Sequence, residues 1–234
     1  MIEVKHLTRR YGSTLAVDDV SFPWSAARSA GCWAPNGAGK STTMNIMTGC
    51  LAATDGEVRY DSLEIYADKD QVKRMIGYLP EQPPLYGDMT VWEYLTSSPR
   101  EGLAALQVTE EVKRTGFACG LEEVIGRPIK NLSKGYKQRV GIAQALIGDP
   151  DVVILDEPTV GLDPIQIIEI RDLVKRLGER HTVIVSSHIL SEIRALCDHI
   201  VIISKGRVVA DDTPENLEKL FAGSSTTVAT VRTS

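Results

Sequence analysis

Two short strings carry the residue types that phosphate chemistry requires. The first is Asn36-Gly37-Ala38-Gly39-Lys40-Ser41-Thr42. A polyphosphate brings several negative charges to one place. Glycines let backbone N–H groups close around it, and the helix N-terminus that follows presents the positive end of its dipole. A lysine at position 40 reaches the β- and γ-phosphates, and the Ser41 hydroxyl is suited to ligate Mg²⁺. The second string is VVILDEPT, residues 152–159. Asp156 ends a continuous apolar run, where a lone carboxylate is costly without a partner and a metal ion supplies one. Glu157 follows directly, placed to polarise a water for attack on a γ-phosphate. Each string has a plain structural explanation when taken singly, as a glycine turn before a helix or an acidic pair at a strand end. Their conjunction in one parallel sheet favours the chemical reading, since ligands gather at the carboxyl ends of such strands.

These residues need a scaffold, and the pattern predicts one. Residues 2–6, 15–22, 56–60 and 76–79 read as short strands, and 152–156 and 183–187 as central strands buried on both faces. A helix is expected from Gly39 to about Leu51, opened by the glycine loop. A helix-rich middle follows, from Val91 to Ile125, broken at Ser98-Pro99 and around Gly116–Gly120. A further helix starts after Leu132-Ser133, where a serine can cap it. Residues 164–177 read as an amphipathic helix with Ile165, Ile168, Leu173 and Leu177 among its apolar positions. Residues 199–211 resemble a hairpin turning at Lys205-Gly206. Strands alternating with helices imply an α/β fold with a largely parallel sheet.

Composition removes several alternatives. The chain has 234 residues and a net charge of −5, without the basic excess typical of a nucleic-acid binder. Cys32, Cys50, Cys119 and Cys197 show no CxxC spacing, and they read as buried reduced thiols rather than a zinc or redox pair. The first dozen residues have no signal-peptide core, and no apolar run reaches the ~18 residues of a membrane span. Work at a membrane therefore calls for another chain to do the spanning.

Three further strings, LSKGYKQRVGIAQALIGDP (132–150), VSSHIL (185–190) and GLDP (161–164), join IGYLPEQPPLY (76–86) and the two strings above. In their order along the chain they resemble the ATP-binding subunits of ABC transporters, and within them the exporter-type subfamily of gliding-motility and multidrug systems. The resemblance runs from Ile2 to about Phe221. It implies a P-loop NTPase of the ABC type, with a parallel core sheet, a small antiparallel β subdomain and a helical subdomain over about 88–145. The cassette spans 1–222, followed by a loose tail at 223–234. It implies an Mg²⁺-dependent ATPase on the cytoplasmic face of the membrane, paired with a transmembrane permease and, as a homodimer or with a second ATPase subunit, sandwiching two ATP molecules. No nucleic-acid partner is expected, although a soluble ABC ATPase acting on ribosomes or DNA is the alternative reading.

The resemblance also assigns residues. Tyr11 stacks on adenine. Asn36, Gly37, Ala38, Gly39, Lys40, Ser41 and Thr42 hold the phosphates, with Ser41, Asp156 and Glu81 at the metal. Glu157 is the general base and His188 contacts the γ-phosphate. Asp163 lies in the loop joining two monomers, and Ser133 and Gly135 reach the γ-phosphate of the partner's ATP. Two positions depart from the common pattern. LSKGY replaces LSGGQ, a form that recurs in the exporter subfamily, and Glu81 with Gln82 replaces the usual single glutamine, leaving open which of the two couples to the permease.

The stretch from Trp24 to Pro35 departs further. The family has a glycine-rich apolar strand there, ending in Gly-Pro-Asn-Gly, whereas this chain reads Gly31-Cys32-Trp33-Ala34-Pro35. Shifting the reading frame restores Gly-Glu and Leu-Gly in the family's places. The stretch therefore reads as a compensated frameshift, a base lost near Pro23 and one gained near Ala34-Pro35, with genuine divergence as the alternative. If position 34 requires positive φ, its Cβ costs about 1–2 kcal/mol, and Trp33 overpacks the strand by about 1–3 kcal/mol. Weakened folding and weakened ATP binding are the expected result.

Overall fold

The computed structural model describes residues 1–24, 29–97 and 105–223. In chain order the strands and helices are β1 (Ile2–Tyr11), β2 (Thr14–Trp24), β3 (Ser29–Trp33), α1 (Lys40–Met47), β4 (Asp55–Tyr60), β5 (Leu63–Glu64), α2 (Lys69–Met75) and β6 (Ile76–Leu79). They continue with α3 (Val91–Ser97), α4 (Ala105–Ala118), α5 (Lys134–Leu146), β7 (Val152–Asp156), α6 (Pro164–Leu177), β8 (Thr182–Ser187), α7 (Leu190–Leu196), β9 (His199–Ser204), β10 (Arg207–Asp212) and α8 (Pro214–Gly223).

One sheet runs in the order β2-β1-β4-β5 and is antiparallel; the other runs β10-β9-β3-β8-β7-β6. In the second sheet β9, β3, β8, β7 and β6 are parallel, and only β10 is antiparallel to its neighbour. Side chains alternate across a pleated strand, so β7 feeds two cores. Val153 and Leu155 join the core that includes α3 to α6. Val152 and Ile154 join the other, with Ala30, Cys32 and the strands of the antiparallel sheet. This is why VVILD is apolar at every position before its acid.

The register places the functional strings. Trp33 pairs with Ser187 and Asp156 pairs with Ser186, so β3, β7 and β8 end side by side. Three loops, at Pro35–Gly39, after Asp156 and after Ser187, leave the sheet from one edge.

Within the stretch that departs most from the family, Ser29–Trp33 nonetheless forms a strand, while residues 25–28, where the frame shift would restore Gly-Glu, lie outside the described residues. β3 lies inside the parallel sheet, bonded to β8 and β9, with Ala30, Gly31 and Cys32 buried. Gly31 is essential to the packing, since a Cβ there would stand 2.3 Å from Ile193 Cγ2. Two expectations fail. Ile165 and Ile168 are 72% and 57% exposed, whereas Leu173 and Leu177 are buried as expected, together with Ile170 and Val174; the expected stripe holds in the second half of α6 and not in its first turns. Cys50 is exposed, unlike the three other thiols. The expected break at Ser98-Pro99 and the tail beyond Gly223 lie outside the described residues.

Candidate functional site

The glycine loop is shaped by contacts that tolerate few other residues. Gly39 has φ +100° and immediately precedes α1; a Cβ on it would meet the Ala16 carbonyl oxygen at 2.5 Å. Gly37 also has positive φ. Ala38 is buried, donating its N–H to Pro35 O at 3.1 Å and accepting from Gly206 N at 2.9 Å. The loop curls over a cleft of ≈ 420 Å³. Asn36, Gly37, Gly39, Lys40, Ser41 and Thr42 line it from one side. Glu81, Glu157 and His188 line it from the ends of β6, β7 and β8.

The charged groups converge on one carboxylate. The Lys40 ammonium, 6% exposed, contacts Glu157 Oε1. His188 Nδ1 lies 3.0 Å from both oxygens of the same group. Glu157 sits in left-handed backbone at φ +51°, a conformation that costs a non-glycine residue about 1–2 kcal/mol. Its N–H is held by Ser186, to the carbonyl at 3.1 Å and to the hydroxyl at 3.2 Å. Strain of this kind concentrates at functional sites. Asp156 lies just below, 2% exposed, and accepts from the Ser186 hydroxyl. Burial pushes its carboxyl above the ordinary aspartate value, opposed by the Ser186 hydroxyl and then by Lys40. Burial likewise lowers the Lys40 ammonium, with Asp156 the leading opposing charge.

The variant strand end takes part in this arrangement. Trp33 is half-buried and its indole N–H donates to the His188 carbonyl at 3.1 Å. Ala34 is fully buried, and it is absent from the described residues with positive φ. The anticipated Cβ penalty at position 34 therefore does not arise. Trp33 packs partly buried against the core that includes α3 to α6, with its indole N–H on the loop after β8.

The remaining candidates stand elsewhere. Ser133, Gly135 and Asp163 line a different cavity of ≈ 730 Å³. Ser133 caps α5, accepting from Tyr136 N at 3.3 Å, and Asp163 caps α6, accepting from Gln166 N at 2.9 Å. Tyr11 is 47% exposed on the β1–β2 hairpin, outside the lining of the Lys40 cleft, with the Arg9 guanidinium 4.8 Å from its ring centroid. Gln82 lines a neighbouring cleft with Lys134 and Lys137, and Glu81 borders both clefts. Sequence reading missed Ala16, Ser186 and Glu192. Ala16 acts through its backbone, which carries no sequence signal. Ser186 lies inside the VSSHIL string and was open to notice, whereas Glu192 lies beyond it on α7 and meets its partners only on folding.

A parallel sheet whose central strand feeds a glycine loop and a lysine-headed helix, with an acid-tipped strand one strand away, defines a P-loop nucleoside triphosphatase. The chain belongs to the ABC transporter family, whose profile matches residues 17–160, and is an ABC-type ATPase. It is 36% identical to the lantibiotic transport ATP-binding protein SrtF of Streptococcus pyogenes over 226 residues, covering 94% of this chain and 96% of that protein. It is 35% identical to the bacitracin transport ATP-binding protein BcrA of Bacillus licheniformis over 222 residues, covering 94% and 72%. Among solved structures, a dimeric bacterial ABC transporter cassette superposes with a TM-score of 0.80 at 26% identity, covering 91% of this chain and 98% of that one.

Proposed function

We propose that this chain binds and hydrolyses ATP to drive export through a separate membrane-spanning permease. The observation that carries the catalytic half is the meeting of Lys40, Glu157 and His188 at three adjacent strand ends. The relatives named for lantibiotic and bacitracin transport support the transport half. Among the described residues no helix is long and apolar enough to cross a membrane, which fits a peripheral subunit at the cytoplasmic face.

In this reading the loop N–H groups and Lys40 hold the β- and γ-phosphates. Glu157 takes a proton from the attacking water, and His188 orients the γ-phosphate while its Nδ1 steadies Glu157. Tyr11 offers an aromatic face to adenine from the hairpin beside the loop. The donor set suits Mg²⁺. Ser41, Asp156 and Glu81 supply hard oxygens, and Asp156 is a buried carboxylate that gains from a nearby cation. Among the described residues no three His, Cys, Asp or Glu side chains form a ready-made cage, as suits an ion held largely by phosphate and water oxygens. When bound, Mg²⁺ neutralises charge on the β- and γ-phosphates.

Ser133, Gly135 and Asp163 open on a cavity apart from the Lys40 cleft. That separation suits a head-to-tail pair of subunits in which each supplies these residues to the other's ATP. The helices between β6 and β7 make the helical subdomain of a single cassette over residues 1–222. The test is ATP hydrolysis by the purified chain with Mg²⁺, together with the oligomeric state of Glu157→Gln in ATP. Turnover, and an ATP-dependent dimer of the variant, are expected. A chain that binds no ATP overturns the reading.

A further inference from the structure

Among the described residues three carboxylates are buried: Asp156, Glu157 and Glu192. The first two belong to the cleft. Glu192 is 4% exposed and has no part in the proposed chemistry. An acid in the first turn of a helix ordinarily lies in solvent near the positive dipole end. This one turns into the protein and is bonded there. Its Oε2 accepts from Thr159 Oγ1 at 2.5 Å and from Ser187 Oγ at 3.1 Å. Its Oε1 lies 3.9 Å from Arg171 Nη2, and Arg171 Nε is buried with no hydrogen-bond partner among the described residues.

The positions of these partners give the contact its meaning. Thr159 is two residues past Glu157, in the loop leaving β7. Ser187 is the residue before His188, at the end of β8, and its hydroxyl also accepts from Ile189 N at 3.1 Å on the far side of His188. One buried carboxylate therefore ties together the two loops whose outer residues, Glu157 and His188, meet at 3.0 Å. The hydroxyl-carboxylate bridge is a rung beneath the functional rung. Thr159 and Ser187 are themselves 4% and 1% exposed, so water does not compete for the bridge. A carboxylate accepts from both hydroxyls through one oxygen and sets the other within ion-pair reach of the Arg171 guanidinium. An amide would accept from the hydroxyls but turn an N–H toward Arg171.

We propose that Glu192 is a positioning residue for ATP hydrolysis: through Thr159 and Ser187 it fixes the loop after β7 against the loop after β8, and so sets His188 against Glu157. The inference rests on the reading of Glu157 and His188 as the hydrolytic pair.

The experiment measures kcat, ATP Kd and melting for the full chain and for Glu192→Ala, Glu192→Gln, His188→Ala and the double variant Glu192→Ala/His188→Ala. Glu192→Ala is expected to lower kcat about 10- to 100-fold, the range for a misplaced catalytic group. ATP Kd should change by less than about threefold, because the glycine loop is not part of the bridge. Glu192→Gln should recover most of the rate, and the double variant should be no slower than His188→Ala alone, since residues acting as a unit are non-additive. Losses that multiply in the double variant, or an unchanged kcat in Glu192→Ala, overturn the proposal. If Glu192→Ala does not fold, Thr159→Val removes one end of the bridge and must show the same kcat loss and the same non-additivity. Full turnover by His188→Ala would instead remove the reading of the site on which the inference rests.

Discussion

His188 Nδ1 lies 3.0 Å from each carboxylate oxygen of Glu157, and the Lys40 ammonium touches the same carboxylate. The three residues leave three neighbouring parallel strands, β3, β8 and β7, whose register brings their ends level. Each loop alone positions one group. The carboxylate between them makes the three a unit, and the left-handed backbone of Glu157 aims it there.

Glu157→Gln follows first from this relationship. The amide keeps the side chain's shape but cannot take a proton from water. Turnover should fall about 10²- to 10⁴-fold, the usual size of general-base catalysis, while ATP binding persists through the loop and Lys40. Phosphate release and nucleotide-binding titrations separate the two effects. A variant hydrolysing ATP within about tenfold of the parent chain, less than such a base contributes, removes Glu157 from that role.

Gly39→Ala tests the loop itself. The substitution puts a side chain at φ +100° and drives its Cβ to 2.5 Å from the Ala16 carbonyl oxygen. The backbone penalty alone is about 1–2 kcal/mol, and the clash adds to it because the obstacle is backbone. Denaturant unfolding should show a loss above about 1 kcal/mol, accompanied by weaker ATP binding. Gly37→Ala should be milder, since it shares the positive φ but no atom of the described residues lies within 4 Å of its Cβ.

A pH-dependent contribution is built into the start of α3. Glu93 Oε2 accepts from the Thr90 N–H at 2.8 Å and its hydroxyl at 2.9 Å, and Thr90 Oγ1 accepts from Glu93 N at 3.2 Å. This is a reciprocal capping box. The bonds from Thr90, backbone first and then hydroxyl, hold the Glu93 carboxyl below the ordinary glutamate value of 4.5. A depressed folded-state value means that the stabilisation is present above 4.5 and is lost as pH falls through the lowered value. Glu93→Gln should therefore lower Tm at neutral pH, and the two melting curves should converge in acid. A difference that persists unchanged into acid rules out this origin.

Sequence legibility followed the physical range of each signal. The Lys40 loop, Asp156 and Glu157, and the cap Ser133 were readable because each depends on residues adjacent in the chain; the cap at Asp163 was not drawn from sequence. The strands 152–156 and 183–187 were readable because burial on both faces demands an unbroken apolar run. The Glu192 bridge was not, because it exists only once α7 folds back over two loops. On α6 the buried Leu173 and Leu177 were legible, but Ile165 and Ile168 fit the same helical stripe and stay exposed in the first turns. β3 was doubted because its residues do not match the family, yet a central strand needs only side chains that fit, and Ala30, Gly31 and Cys32 fit.

The same strand supplies the last prediction, in which the structure reverses the sign drawn from sequence. If Trp33 and Ala34 were damage to a strand built for leucine and glycine, restoring those residues would stabilise the chain. In the structure Trp33 donates to the His188 carbonyl at 3.1 Å, and Ala34 is buried without positive φ. Trp33→Leu removes that hydrogen bond and part of the indole burial, a loss of about 1–2 kcal/mol. Ala34→Gly adds backbone freedom to the unfolded chain, a further loss of about 0.5–1 kcal/mol. The double variant should thus melt lower, by about 2–4 °C for each kcal/mol in a chain of this length. Trp33→Leu should also slow hydrolysis, since it releases the loop that carries His188. A double variant that melts higher than the parent chain would mean that the strand is strained, and would favour the compensated frameshift as its origin. Sequencing the coding DNA from Val20 to Asn36 tests that origin directly, while the melting curve tests whether the chain as written has made use of the change.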